Sequence, residues 1–166
     1  MANITLKNNP ISTSGNLPNI GEEAKDFSLI GKDLQKVTLN DFKRERIVMN
    51  IFPSVDTGIC AISVKTFNEK AANLSNTKVL CISRDLPFAQ NRFCGAENIK
   101  NVLTLSDFAN GSFGKDYGLT IMDGALANLH SRCIVVLDES QKIIHAEQVD
   151  EITSEPNYET ALPVLR

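Results

Sequence analysis

The sequence predicts an α/β fold, a mixed central β-sheet with helices on both faces, preceded by a small N-terminal β-hairpin. Three observations lead there. Two short apolar runs, Ile47–Phe52 and Val79–Ser83, flank a segment of helical periodicity, the pattern of strand, crossover helix and parallel strand. A third run, Cys133–Leu137, is followed by the polar turn Asp138–Gln141 and by Lys142–Ala146, the pattern of an antiparallel hairpin. Composition fits one folded domain over residues 1–166: 42% apolar and 22% charged, with 9 Gly and 6 Pro. That usage disfavours disordered, collagen-like and coiled-coil classes, and a chain of this size buries roughly 70% of its unfolded surface without needing metal or disulfide staples.

The elements follow in order. Residues 1–27 are polar and turn-rich, with Gly15, Pro18 and Gly21 interrupting short apolar pieces such as Ile4–Leu6, and predict the N-terminal hairpin. Phe27–Ile30, the turn Gly31–Asp33 and Lys36–Leu39 predict two short strands, and Asn40–Phe42 a brief helical turn. Ile47–Phe52 ends at Pro53, whose missing amide donor stops a central strand. Thr57 is a suitable N-cap for a helix in which Ile59, Ile62, Ser63, Phe67 and Leu74 recur at helical spacing. Leu86–Cys94 predicts a second helix, with Pro87 tolerated in its first turn. Val102–Leu105 reads as a strand, Gly111–Gly118 as a loop or single helical turn, and the tail from Pro156 as a helix broken by Pro163.

Charge narrows the function. Twenty acidic against 17 basic residues give a net charge of −3, with no window that concentrates Lys and Arg. A phosphate-tracking surface needs the opposite, so nucleic acid is not an expected partner. The N-terminal Met1–Lys7 lacks the features of a signal peptide, and the longest apolar run is far too short to span a bilayer. The expectation is a soluble cytoplasmic protein with no membrane partner.

In a reducing compartment the four cysteines, Cys60, Cys81, Cys94 and Cys133, read first as small buried hydrophobes. No Cys-x-x-Cys is present, which disfavours a zinc knuckle and a thioredoxin-type dithiol. His130 and Cys133 have metal-ligand spacing but no second pair, and His145 reads as structural, so no metal or other cofactor is expected. Cys60 stands apart. With Thr57 as N-cap it falls at the third helical position, where unpaired amides and the helix dipole stabilise a thiolate, the nucleophilic form. Packing beneath the helix start is the plain alternative.

Pro53, Thr57 and Cys60 together resemble the active-site signature of peroxiredoxins. The likeness extends outward: Asn50–Cys60, Cys81–Glu97 and Val149–Glu159 are all similar to the bacterial thiol peroxidases, the atypical two-cysteine branch of that family. The resemblance implies a thioredoxin-like fold and a thiol-dependent peroxidase that reduces hydrogen peroxide and organic or alkyl hydroperoxides to water and alcohols. It implies that Cys60 is the peroxidatic cysteine, oxidised to a sulfenic acid, and that Cys94 resolves it as an intrachain disulfide. It further implies that Thr57 hydrogen-bonds thiolate and peroxide, that Pro53 shields the thiolate from water, and that Arg132 stabilises charge at the reacting sulfur and oxygen. Without it, Arg132 reads as a surface charge at a strand start. Recycling by thioredoxin and a homodimeric assembly are also implied. Cys81 is expected to be core. Cys133 stands where the family has a small apolar residue, and the sequence leaves open whether it lies beside the site. A disulfide oxidoreductase or a redox-sensing binding module are the alternative readings.

Overall fold

In the computed structural model, which describes residues 1–165, the chain starts with an antiparallel ribbon of β1 (Asn3–Leu6) and β2 (Asn9–Ser12). Its two turn residues, Lys7 and Asn8, both adopt positive φ (50° and 65°), as the tightest hairpin turns demand. A lysine there is strained, and the Glu151 carboxylate offsets this by accepting both backbone N–H groups at 2.9 and 3.0 Å.

The remaining strands form one sheet. They are β3 (Ser28–Ile30), β4 (Lys36–Thr38), β5 (Arg46–Ile51), β6 (Thr77–Ser83), β7 (Leu103–Ser106), β8 (Cys133–Leu137) and β9 (Ile143–Gln148), in spatial order β4-β3-β7-β6-β5-β8-β9. Pairing is parallel from β5 to β6 and from β6 to β7, and antiparallel elsewhere. The parallel pairs are joined by α1 (Gly58–Ala71) and α2 (Pro87–Ala96), the crossovers the apolar spacing predicts. A short α3 (Ser112–Asp116) follows β7, and α4 (Tyr158–Ala161) precedes a 3-10 turn at Pro163–Leu165. Pro163 lies just after α4, as a residue without an amide donor must. Boundaries moved slightly from expectation: β7 begins at Leu103 rather than Val102, and α1 stops at Ala71, with Leu74 closing a turn onto the Ala71 carbonyl.

Alternation along β5 divides two cores. Ile47, Met49 and Ile51 join Phe27, Leu29, Phe113 and Tyr117 on one face; Val48 joins Val64 and Phe67 of α1 on the other. Both faces being covered explains why β5, β6 and β8 read as nearly continuous apolar runs. On the α1 face Phe67 meets Tyr158 of α4 edge to face, with centroids 5.2 Å apart. Cys133 lies on the opposite face, packed in the core that holds Ile51 and Leu137, with its Sγ 3.2 Å from Ser131 Oγ. The open question of Cys133 beside Cys60 is thereby resolved: the sheet separates them.

Candidate active site

Strand β5 ends at Ile51, and the chain turns through Pro53–Asp56 into α1 with Thr57 at the N-cap in extended conformation (φ −93°, ψ 143°). Cys60 is therefore the third residue of the helix and sits in its first turn, fully buried among Val64, Phe67 and Cys81. The Thr57 hydroxyl differs from expectation. It makes no side-chain capping bond and instead donates to the Ser54 carbonyl at 3.1 Å, leaving the first-turn amides of α1 free of a side-chain acceptor. That arrangement keeps the positive end of the helix available to a negative charge.

Pro53 and Thr57, four positions apart, and the sequence-distant Arg132 line a single cavity of about 350 Å³ together with Ile59, Leu126 and Ile152. Cys60 follows Ile59 in the chain and does not itself line the cavity. Arg132 corrects the reading as a surface charge: it is 2% exposed. The cause is register. Arg132 immediately precedes β8, and its backbone carbonyl accepts from Val149 N–H, which continues the β8–β9 ladder by one step and turns the side chain inward. Its Nε donates to the Ile152 carbonyl at 2.9 Å, while Nη1 has no hydrogen-bond partner. A buried guanidinium nitrogen without an acceptor is costly, so it is poised for an anion or a polarised oxygen.

Two polar networks hold this geometry, and sequence reading missed both. Asp85, just after β6, accepts from Ser54 Oγ at 2.7 Å, Val55 N at 2.8 Å and Ser83 Oγ at 2.6 Å, pinning the loop that precedes Cys60. Beneath α1, buried Asn50 of β5 donates to Ser63 Oγ at 3.2 Å, and Ser63 Oγ donates to the Cys60 carbonyl at 2.8 Å. The available signal was Asn50 itself, a lone amide in an apolar strand.

The other thiols occupy different surroundings, and all four cysteines are free. Cys94 is the eighth residue of α2, half-buried, and lines a second cavity at the β7 edge rather than the one beside Pro53 and Thr57. Burial pushes its thiol up, opposed by a hydrogen bond with Thr104 and by the Lys32 ammonium. Burial pushes Cys81 up to about 12, against a hydrogen bond from Asn50. Cys133 is likewise pushed up to about 12 by burial. The segments bearing Cys60 and Cys94 are cross-linked at the surface: Arg92 pairs with Asp56 at 3.1 Å, and Lys65 with Glu97 at 2.7 Å.

His130 does not pair with Cys133. It sits 2.9 Å from the buried Asp107 carboxylate, which also accepts from the amides of Phe113 and Gly114 at the start of α3. Among the described residues no group of three or more His, Cys, Asp or Glu side chains is arranged to hold a metal. No helix among them is long and apolar enough to cross a membrane.

Residues 19–162 match the Redoxin family. A thiol peroxidase of Mycobacterium bovis is 52% identical over 165 residues, covering 99% of each chain. The crystal structure of a peroxiredoxin-like protein from Aquifex aeolicus superposes with a TM-score of 0.93 at 36% identity, covering 99% of this chain and 96% of that one. A thiol peroxidase from Chromobacterium violaceum shares the fold at a TM-score of 0.89 and 18% identity, over 98% of this chain and 94% of its own.

Proposed function

The chain belongs to the thiol peroxidases of the Redoxin family and is a peroxidase of the peroxiredoxin type; from that premise we propose that Cys60 is its peroxidatic thiol and Cys94 its resolving thiol. The observation that carries the assignment is the convergence of Pro53, Thr57 and Arg132 on one cavity at the first turn of the helix bearing Cys60. The Cys60 thiolate attacks the terminal oxygen of the hydroperoxide, the O–O bond breaks, the hydroperoxide's own proton passes to the leaving oxygen so that alcohol or water departs, and the sulfenate takes back from solvent the proton the thiol lost on ionising, giving a sulfenic acid. The free first-turn amides and the unpaired Arg132 Nη1 stabilise charge as it passes from sulfur to the leaving oxygen. The Thr57 hydroxyl exchanges its bond to Ser54 for one to the reacting atoms. Apolar Ile59, Leu126 and Ile152 suit organic and alkyl hydroperoxides as well as hydrogen peroxide.

Cys94 then attacks the sulfenic sulfur, releasing water and closing an intrachain disulfide. The two thiols are free and face different surroundings, and a disulfide needs Cα atoms about 4.4–6.8 Å apart. Closure therefore proceeds by local unwinding of the first turn of α1 and the end of α2, breaking the Arg92–Asp56 pair. A thioredoxin-type dithiol protein reduces the disulfide, becoming oxidised itself. We read residues 1–166 as one cytoplasmic domain acting as a homodimer, with exposed Leu86, Phe88 and Met122 available to the second subunit.

The test is peroxide consumption coupled to thioredoxin and its reductase. Cys60→Ser abolishes turnover; Cys94→Ser permits one oxidation per chain without recycling; Cys81→Ser changes little. Full activity in Cys60→Ser overturns the assignment.

A further inference from the structure

A cavity of about 650 Å³ lies beside Cys94, separate from the one lined by Pro53, Thr57 and Arg132. It arises from topology. Strand β3 pairs with β7 at a single position, Ile30 with Ser106, so the β3–β4 hairpin splays away and leaves the β7 edge from Leu103 to Leu105 facing an open space roofed by Asn91 and Cys94 of α2. Its volume lies within the range of about 300–1,000 Å³ typical of small-molecule sites, and its concavity suits a small ligand better than a protein face.

The lining is amphipathic. Phe42 and Leu105 are buried in its depth, with Val37 and Val102 partly so, whereas Lys32, Lys36 and Lys100 are exposed around it. None of these three lysines is paired with a carboxylate among the described residues. The single acidic residue in the lining, Asp41, is occupied by the Thr38 backbone N–H at 2.8 Å. Three unpaired cations at the mouth of an apolar hollow match one kind of molecule.

We propose that this cavity binds an amphipathic organic carboxylate, its apolar body between Phe42, Val102 and Leu105 and its head group among Lys32, Lys36 and Lys100. The body would cover the Cys94 thiol and brace the end of α2. The binding itself does not depend on the role of Cys94. If Cys94 is the resolving thiol, occupancy also slows disulfide closure without slowing the first oxidation of Cys60.

Decanoate serves as the probe, with decanol and decylamine as neutral and cationic counterparts, in titrations against the full reduced chain. Saturable binding of decanoate alone is expected, weakened by about tenfold or more in Lys32→Glu/Lys36→Glu/Lys100→Glu, whose exposed positions leave thermal stability unchanged. Bound decanoate should also slow iodoacetamide alkylation of Cys94, read by peptide mass, by about fivefold or more, in proportion to occupancy. Absence of saturable binding, equal binding of decylamine, unchanged affinity in the triple variant, or unprotected Cys94 each overturns the site. Thioredoxin-dependent recycling that survives Cys94→Ser overturns the resolving role instead and leaves the decanoate titration unaffected, so the two failures are distinguishable.

Discussion

The Asp85 carboxylate accepts the backbone N–H of Val55 at 2.8 Å, joining the loop that leads into the Cys60 helix to the end of β6. The same group takes the hydroxyls of Ser54 and Ser83. Removing a charged acceptor from such a network costs about 1–3 kcal/mol, and the cost here falls on the loop from Pro53 to Thr57. Asp85→Ala is therefore expected to raise amide hydrogen exchange across residues 54–60 and to lower the rate of reaction with peroxide by about tenfold. Asp85→Asn, which keeps one oxygen for Val55, loses less. Unchanged exchange and rate in Asp85→Ala would sink the positioning role.

Arg132 offers a separation of activity from stability. Its Nη1 is buried without a partner, so the side chain is held at a cost to the fold. Arg132→Met, similar in length and uncharged, is expected to slow peroxide reduction by about 10²–10³-fold, as loss of one preorganised donor does, while thermal stability holds or rises. Stopped-flow peroxide kinetics and calorimetry on the same sample check both. A lower melting temperature with normal kinetics would make Arg132 structural.

The sheet was legible in the sequence because its strands are buried on both faces and so announce themselves as apolar runs; β5, β6 and β8 fall where Ile47–Phe52, Val79–Ser83 and Cys133–Leu137 place them. Cys60 at the third helical position was equally readable, since the strand end at Pro53 and the N-cap at Thr57 count out the turn. The burial of Arg132 was not. It depends on register between β8 and β9 and on a carbonyl from Ile152, both long-range facts that a charged residue at a strand start does not signal. Asp85 was hidden for a similar reason. Its partners Ser54 and Val55 are brought to it only by the parallel pairing of β5 with β6. The β7-edge cavity exists because one strand pair is left incomplete, and spacing along the chain does not encode that.

Among the three thiols other than Cys60, reactivity toward an alkylating agent should follow burial. Cys81 and Cys133 are fully buried with thiols pushed up to about 12, so about one part in 10,000 or less is thiolate at pH 8. Brief treatment of the reduced native protein with iodoacetamide at that pH should leave both unmodified while Cys94, half-buried, is alkylated. In denaturant all four react. Peptide mass spectrometry distinguishes the cases, and native labelling of Cys81 ahead of Cys94 would contradict the packing of β6.

Glu151 links acidity to the N-terminal ribbon. Its carboxyl is held well below the usual carboxylate range, first by the Thr5 hydroxyl, then by the Asn8 amide, the Thr153 hydroxyl and the Lys7 amide. These bonds fasten β1 and its turn to the segment after β9, and Leu6, Lys7, Ile152 and Thr153 from the two sides line the cavity with Arg132. A carboxyl with a folded pKa below its unfolded value of about 4.3 stabilises the fold fully above that value, and the contribution is lost as pH falls from there toward the folded pKa. Glu151→Gln should therefore melt below wild type at pH 7, with the gap narrowing as pH is lowered through 4 and beyond. Melting curves of both proteins from pH 7 to 3 check this; a gap that is constant or widens on acidification would show that the charged form of Glu151 does not fasten the ribbon.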